Sequence, residues 1–348
     1  MKSAALRFER PKELEADAPP ELRGSTRDGV RLLVSTPAGH EHHAFRDLPA
    51  LLTPGDLVVV NESATLPAGL PARGAVGDFT LCLSTNYGRG LWLTEPRWGP
   101  ARPGPLPLRP GDRFEAAGLR ATVVAEYPGL PRLLFVHLNG DVLSAAARRG
   151  APIRYAYLRE PLGLEFYQTV FSRVPGSAEM PSAARPFTLA AVRALAARGV
   201  RFATVVLHAG VSSLEVEAPL VEAQPLYPEP FEVPAATVAA VSAARAAGRR
   251  VVAVGTTVVR ALESAHDGKR LRPARGFTRL YVNPYRPARV VDGLLTGFHD
   301  PMTSHLAMLY ALAGEDLVRS AYAEAVAGRY LWHEFGDSHL VLPGAAGA

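Results

Sequence analysis

The stretch VVAVGTTVVRALESA, residues 251–265, joins an apolar strand to an amphipathic helix through a single glycine. Four consecutive apolar residues predict a buried strand, Gly255 ends it, and the following residues have helical periodicity. A strand that leads directly into a helix is the repeating unit of an α/β fold. The free N–H groups and positive dipole end of such a helix suit an anion or a sugar hydroxyl, although threonine is also a common N-cap for purely structural reasons.

Strands and helices alternate over most of the chain after residue 150. This pattern is typical of a sheet covered by helices. An earlier strand is expected at residues 31–35, and another ends at Asn61. The later strands are expected at residues 202–208, 250–255 and 278–283, and the helices at residues 189–198, 235–247, 257–265, 301–313 and 315–327.

Residues 66–149 have a different character, because short alternating segments are separated by turns rich in proline and glycine. No helix is indicated there before residues 141–149, and residues 98–112 read as a Pro-rich connection. Such spacing is typical of a small antiparallel barrel or sandwich. We therefore predict an α/β main domain formed by residues 1–65 and 150–348, with an inserted small antiparallel β-barrel domain at residues 66–149.

The composition limits which classes of protein this chain can belong to. The chain has 348 residues, of which 48% are hydrophobic and 20% charged, as in a soluble globular enzyme. Apolar runs end well before the roughly 18 residues of a membrane span, and the charged N-terminus lacks a signal-peptide core, so we expect a cytoplasmic protein with no membrane partner. Cys82 is the only cysteine and is expected to be a buried small hydrophobe. The ten histidines form no metal-binding motif, so no metal is expected.

The positive charge is concentrated in one window. Residues 140–201 contain nine arginines and four acidic residues. Their difference, +5, equals the net charge of the whole chain. A polyanion such as RNA would prefer this stretch. The alternative is a solvated helix face together with an arginine-rich loop.

Polar residues follow several predicted strands: Asn61, His208, and the Gly255-Thr256-Thr257 triplet, with Ser212 and Ser213 after His208. Ligands of open α/β sheets bind beyond the carboxyl ends of the strands, so these residues predict one shared cleft. On a helical wheel, Arg260 and Glu263 lie opposite the apolar side and should form an exposed i,i+3 pair.

The segment LLTGFHDPMTSHL, residues 294–306, predicts a helix capped by Asp300 that begins at Pro301. His299 then lies close to a helix N-terminus, where its imidazole would stay neutral and could act as a base. His305 is expected to be a packing or surface residue. The segment YLWHEFGDSHLVL, residues 330–342, predicts strand, turn and strand, with Asp337 either a turn residue or a catalytic carboxylate. The three histidines at positions 40, 42 and 43 read as a turn.

Taken in order, these motifs resemble those of the S-adenosylmethionine:tRNA ribosyltransferase-isomerases of queuosine biosynthesis. VGTTVVRALESA and LLTGFHDPMTSHL are the most specific, and the resemblance spans nearly the whole chain. The similar segments lie at residues 31–63, 151–155, 167–171, 176–188, 207–210, 254–265, 294–306 and 330–342.

The resemblance implies an α/β domain with an inserted barrel and an enzyme that transfers the ribosyl group of S-adenosylmethionine to a 7-aminomethyl-7-deazaguanine base in tRNA, releasing adenine and methionine. It implies S-adenosylmethionine and tRNA as partners, and we expect a monomer. By analogy, His208 and His299 are the acid/base candidates, Arg260 anchors the S-adenosylmethionine, and Asp337 orients a cationic group. The implied contacts to S-adenosylmethionine are Gly255, Thr256, Thr257, Asn61, Ser177, Gln168 and Thr188.

The chain also departs from the family pattern. Pro186 replaces a motif histidine, Ala64 and Gly69 replace arginines, and a histidine-rich segment is replaced at residues 224–229, starting with Gln224. His305, His333 and His339 stand where the family usually has apolar or aromatic residues. Three interpretations stay open: a divergent tRNA enzyme, a paralogue that uses S-adenosylmethionine with another nucleoside or small-molecule acceptor, and a non-catalytic RNA- or nucleotide-binding module.

Overall fold

The computed structural model describes residues 1–99, 106–211, 216, 218–224 and 226–344. Within them the α-helices are α1 (Leu48–Leu51), α2 (Val142–Arg149), α3 (Leu189–Ala197), α4 (Ala235–Ala246), α5 (Thr256–Ser264), α6 (Ser304–Ala313) and α7 (Glu315–Ala327). The strands are β1 (Arg31–Thr36), β2 (Gly39–Ala44), β3 (Leu57–Asn61), β4 (Ser63–Thr65), β5 (Gly69–Gly74), β6 (Gly77–Gly88), β7 (Leu91–Arg97), β8 (Arg113–Ala116), β9 (Leu119–Tyr127), β10 (Leu130–Asn139), β11 (Val174–Ser177), β12 (Arg201–Leu207), β13 (Glu229–Val233), β14 (Val251–Val254), β15 (Ala274–Thr278), β16 (Gly293–Gly297) and β17 (Ser338–Val341).

Nine strands form one mixed sheet in the order β15-β13-β12-β3-β14-β16-β17-β1-β2. Its centre, β12-β3-β14-β16, is parallel, and every residue of β3 and β14 is buried. Continuous apolar runs such as these are typical of strands covered on both faces. Because the four strands run in the same direction, their carboxyl ends meet at one edge, and the antiparallel β17 starts at that same edge.

Strands β5 to β10 close into a six-stranded antiparallel barrel in the order β10-β7-β6-β5-β8-β9. The predicted fold class, an α/β domain with a small antiparallel barrel, is confirmed. Cys82 lies in the barrel core, as predicted, and burial raises the pKa of its thiol to about 12. Gly69 and Ala151 exchange two backbone hydrogen bonds of 2.8 and 3.0 Å, so the chain enters and leaves the barrel at neighbouring points.

Several local predictions were wrong. The histidine-rich turn is strand β2, paired with β1 along its whole length. The predicted strand at residues 278–283 ends at Thr278, because the chain then turns back through hydrogen bonds between Asn283 and Arg286. Of YLWHEFGDSHLVL, only Ser338–Val341 is a strand, while Trp332 is fully buried and its backbone N–H donates to Leu14.

Helix α6 begins at Ser304, not Pro301, because the Thr303 hydroxyl caps it by accepting from Leu306 N. No helix among the described residues is long and apolar enough to cross a membrane. The Pro-rich connection at residues 98–112 falls partly outside the described residues, and Ser212 and Ser213 fall wholly outside them.

Candidate functional site

A cleft with two adjoining lobes lies at the carboxyl edge of the parallel strands. Lobe 1 is the part lined by Arg260 and Tyr281, and lobe 2 is the part lined by His299 and Glu334. The lobes are parts of one cleft because they share wall residues at the junction between them: Glu179, Ala209, Thr256, Thr257 and His305.

The β14–α5 junction forms the wall between the lobes. Gly255 has φ +91°, and a Cβ there would lie 3.3 Å from the Ala183 Cβ, so the turn into the helix requires glycine. Gly255 itself is the N-cap residue of α5, with no side-chain cap. The Thr257 hydroxyl instead accepts from Asn61 Nδ2 at 3.2 Å, which fixes the first turn of α5 against β3.

Arg260 and Glu263 do not form the exposed pair that helical periodicity predicts. Arg260 lines lobe 1, its Nε donates to Leu280 O at 3.1 Å, and its Nη1 donates to Glu229. Glu263 is buried and accepts from the backbone N–H groups of Arg289 and Val290 at 2.8 and 2.7 Å. Burial raises the pKa of the Glu263 carboxyl. The prediction was wrong because segments distant in sequence cover the polar side of α5.

Two buried polar atoms of lobe 1 have no hydrogen-bond partner in the described part of the chain: Arg260 Nη2 and Tyr281 Oη. Buried donors without partners are costly, so native structures seldom keep them unless a ligand uses them. A guanidinium N–H and a phenol hydroxyl are both donors that suit a carboxylate. Lobe 1 therefore fits the carboxylate end of an amino acid.

His299 lines lobe 2. Its Nε2 lies 2.9 Å from Thr296 Oγ1, and its backbone N–H donates to Tyr322 Oη at 3.1 Å. Burial lowers the pKa of His299 well below its usual value, and His305, His339 and His333 lower it further. A neutral imidazole at a cleft wall can accept a proton.

His305 was not recognised as a site residue from the sequence. It lines both lobes, and its ring centroid lies 4.8 Å from that of His299. Burial, with a smaller contribution from Arg260, lowers the pKa of His305 to about 4. The sequence feature that could have indicated this position is Thr303, because threonine is a favoured N-cap residue and a helix capped there has His305 in its first turn.

Lobe 2 also carries acidic and strained residues. Glu179, Asp300 and Glu334 line it, which suits a cationic ligand group. His333 has φ +71° and stacks on the Tyr157 ring at 4.4 Å, with 12° between the ring planes. A non-glycine residue in this conformation costs on the order of 1 kcal/mol or more and is often found at functional sites.

His208, Ser177 and Asn61 form a polar network behind the cleft wall. Ser63 Oγ bridges His208 Nδ1 at 2.7 Å and Ser177 Oγ at 2.6 Å. Ser177 Oγ accepts from Ala209 N at 3.0 Å, so this network holds the cleft residue Ala209. Burial lowers the pKa of His208. None of the three network residues lines either lobe in the described structure.

Gln168, Thr188 and Asp337 do not line the lobes in the described structure either. The Gln168 amide pairs with both backbone groups of Thr65, and the Thr188 hydroxyl caps α3. The Asp337 carboxylate accepts from Arg31 and from Leu331 N, so the cation that it contacts belongs to the protein itself. In this structure the polar groups of these three residues are bonded to other parts of the protein.

Among the departures from the family pattern, Pro186 is buried next to Phe187, and Gln224 Oε1 accepts from Ala218 N at 3.1 Å.

Arg185 of the basic window is buried, contacts Glu21 at 3.0 Å and lies over the Phe335 ring; burial lowers its pKa to about 10. Seven arginines of the window are exposed: those at positions 148, 149, 159, 173, 193, 198 and 201. No group of three or more potential metal ligands occurs among the described residues.

Comparison with known proteins shows similarity to a family of queuosine biosynthesis. The family model described as "Queuosine biosynthesis protein" matches residues 3–341. The S-adenosylmethionine:tRNA ribosyltransferase-isomerase of Anaeromyxobacter sp. (strain Fw109-5) is 39% identical, over 98% of this chain and 99% of the relative. The protein of the same name from Thermus thermophilus is 38% identical, over 91% of this chain and 93% of the relative. A crystal structure of S-adenosylmethionine tRNA ribosyltransferase from Thermotoga maritima is 29% identical with a TM-score of 0.55, covering 97% of this chain and 100% of that one.

Proposed function

The chain belongs to the queuosine biosynthesis protein family, and from this membership we propose that it is an S-adenosylmethionine:tRNA ribosyltransferase-isomerase acting in the two-lobed cleft. The reaction transfers the ribosyl group of S-adenosylmethionine to a 7-aminomethyl-7-deazaguanine base in tRNA and releases adenine and methionine. Because tRNA is the acceptor, we place the reaction in the cytoplasm.

The observation that carries this proposal is the meeting of two lobes at the start of α5. S-adenosylmethionine can span both lobes, with its methionine carboxylate in lobe 1 and its sulfonium in lobe 2. The residues shared by both lobes then stand between these two parts and hold the molecule in one orientation for the transfer. The first backbone N–H groups of α5 add donors and a positive dipole end for a hydroxyl or carboxylate oxygen. Gly255, Thr256 and Thr257 are therefore the proposed contacts of the ribose and methionine parts.

In lobe 1, Arg260 and Tyr281 bind the methionine carboxylate. Arg260 is held by Glu229 and Leu280 O, and Glu229 Oε1 in turn accepts from Gly210 N at 2.8 Å. This arrangement fixes the guanidinium before the ligand arrives, which reduces the entropy cost of binding. Asn61 and Ser177 support the wall through Thr257 and Ala209.

In lobe 2, the acidic side chains balance the charge of the sulfonium, and His299 is the proposed base. Its neutral imidazole accepts a proton from the carbon beside the sulfonium: a C–H bond breaks, an N–H bond forms, and the electron pair stays on the carbon next to the positive sulfur. Burial favours the neutral base before the step and disfavours the imidazolium after it. The proton must therefore leave His299 in each cycle.

The decisive experiment mixes the protein with S-adenosylmethionine and tRNA carrying the deazaguanine base, and measures adenine release by chromatography. Release that depends on the modified tRNA supports the proposal. Release only with another nucleoside or a small amine would instead identify a paralogue with a different acceptor. Binding of RNA or nucleotide with no adenine release from any acceptor would identify a non-catalytic module.

A further inference from the structure

A series of polar side chains runs from lobe 2 across strands β16, β17, β1 and β2 to an exposed contact with helix α7. Its buried centre is His339 on β17, which is 0% exposed. His339 Nε2 lies 2.8 Å from Ser35 Oγ on β1, and the same hydroxyl lies 2.9 Å from His40 Nδ1 on β2. His40 Nε2 then lies 2.9 Å from Ser320 Oγ on α7, at an exposed contact.

The other end of the series reaches the cleft. His339 lies directly opposite Thr296 across the antiparallel β16–β17 pair, and Thr296 Oγ1 holds His299 Nε2 at 2.9 Å. Side chains of residues directly opposite each other in such a pair lie on the same face of the sheet, with Cβ atoms about 5 Å apart. Only the step from Thr296 to His339 has no hydrogen bond among the described residues, and the evidence for this step is the opposite placement of the two residues in the β16–β17 pair.

The hydrogen-bonding state of His339 is consistent with such a path. His339 Nδ1 is buried without a partner in the described part of the chain. A neutral imidazole has one donor and one acceptor nitrogen, and an unpaired acceptor is less costly than an unpaired N–H. We therefore assign the proton to Nε2, which donates to Ser35. The free lone pair of Nδ1 is then available to a proton from Thr296.

We propose that Thr296, His339, Ser35 and His40 form a proton relay that carries the proton taken up by His299 from the filled cleft to solvent at Ser320. This inference rests on the proposed function, in which ligands occupy the direct route out of lobe 2. Each link breaks one N–H or O–H bond and forms another, so one proton enters at His299 and one leaves at His40. The two hydroxyls regain their starting orientation by rotation about their C–O bonds. Each imidazole, whose N–H has moved to its other ring nitrogen, regains its starting tautomer by rotation of the whole ring. His339, Ser35 and His40 touch no substrate and are positioning residues.

The surroundings of the relay keep its centre neutral. The Phe298 ring stacks on His339 at 5.4 Å, and the Tyr322 ring lies 6.2 Å away. Burial and then His40 lower the pKa of His339 to about 3. At the outer end, burial lowers the pKa of His40, while Glu324 raises it and His42 lowers it. Because the buried His339 disfavours the charged form and His40 lies near solvent, a proton is passed along the series to His40 and is not held on His339.

The test uses a matched pair on one strand. His40 and His42 both lie on β2 and both contact α7, but His42 is bonded to Tyr330 and Glu324 and is off the path. We expect His40→Ala to reduce adenine release at least threefold in dilute buffer, and added imidazole to restore it, while His42→Ala changes neither. Unchanged release in His40→Ala, or a loss that imidazole leaves in place, would overturn the relay.

A second readout is independent of activity. In histidine-labelled ¹⁵N NMR spectra, we expect His339 as the Nε2–H tautomer, and Ser35→Ala to shift the ring signals of both His339 and His40 but not those of His42. A His339 ring protonated on Nδ1, or a Ser35→Ala variant with both sets of signals unchanged, contradicts the relay. An inactive wild-type protein with the expected spectra would instead refute the proposed function and leave the hydrogen-bonded path established.

Discussion

Arg260 on helix α5 pairs with Glu229 on strand β13, and not with Glu263, which lies three residues further along α5. The pair is largely buried, with side chains 12% and 9% exposed. It orients a guanidinium whose second nitrogen has no partner in the described part of the chain, at the wall of lobe 1. A buried charge is costly unless it is paired, so we expect Arg260 Nη2 to bind an anionic group of the ligand.

Replacing Arg260 by alanine should weaken S-adenosylmethionine binding by roughly 10- to 100-fold, since a hydrogen bond to a charged group contributes about 1.5–3 kcal/mol. Isothermal titration calorimetry gives the affinity, and circular dichroism checks that the protein stays folded. Arg275→Ala is the control, because that arginine on β15 is 83% exposed and lies away from the cleft wall. Equal affinity of Arg260→Ala and wild type would remove Arg260 from the site.

Gly255→Ala should destabilise the protein by about 1–3 kcal/mol, because alanine is strained at φ +91° and its Cβ would crowd Ala183. Urea unfolding measures the change in free energy. Gly276→Ala on β15 is the matched control: its Cβ would meet nothing within 4 Å, and its φ is not positive. A Gly255→Ala variant as stable as Gly276→Ala would show that the junction does not depend on glycine.

Stability should fall as the pH falls below about 6.5, in part because of His339. Its pKa is lowered to about 3 in the folded protein, so between about pH 6.5 and 3 the unfolded chain binds a proton that the folded chain does not. At pH 5 this difference amounts to about 2 kcal/mol relative to pH 8. His339→Gln should flatten the pH dependence of the unfolding free energy by about that amount; a variant with the wild-type slope would contradict the neutral, buried state of His339.

Glu263→Ala should destabilise the protein by about 2–3 kcal/mol, because it leaves the backbone N–H groups of Arg289 and Val290 without an acceptor. Glu263→Gln keeps an acceptor oxygen and should therefore lower the free energy of unfolding less than Glu263→Ala does. Denaturant unfolding of both variants separates a lost hydrogen bond from a lost charge. If the glutamine variant is as unstable as the alanine variant, the negative charge, and not the acceptor, is what the site requires.

Binding of tRNA should weaken steeply with salt if the exposed arginines of residues 140–201 contact the phosphates, because each neutralised phosphate releases counterions. Filter binding between about 50 and 200 mM salt gives the slope of log affinity against log salt, and S-adenosylmethionine affinity measured over the same range is the reference. Arg148→Ala with Arg149→Ala should make the slope shallower by about two units if both side chains contact phosphates. A flat response in the wild-type protein would favour a small-molecule acceptor.

The sequence by itself determined the fold class, the positions of most helices, and the strand ends that surround the cleft. Helices α3, α4, α5 and α7 lie within a residue or so of their predicted bounds. Hydrophobic periodicity and glycine breaks are local properties, and parallel strands necessarily bring their carboxyl ends to one edge. The sequence therefore suffices to assign Asn61, Gly255 and His299 to one region of the molecule.

Only the tertiary structure decided which of these side chains reach the cleft. Arg260 and Glu263 read as solvent-exposed because a helical wheel cannot show that β13 and the segment at residues 280–290 cover them. Asp337 and Gln168 read as site residues, yet Arg31 and the Thr65 backbone occupy their polar groups. The contacts of His305 and His339 are likewise made with neighbours distant in the chain or outside their own element. A side chain's partners are set by packing between elements, and hydrogen bonds formed in a low-dielectric interior outweigh the local pattern from which the sequence is read.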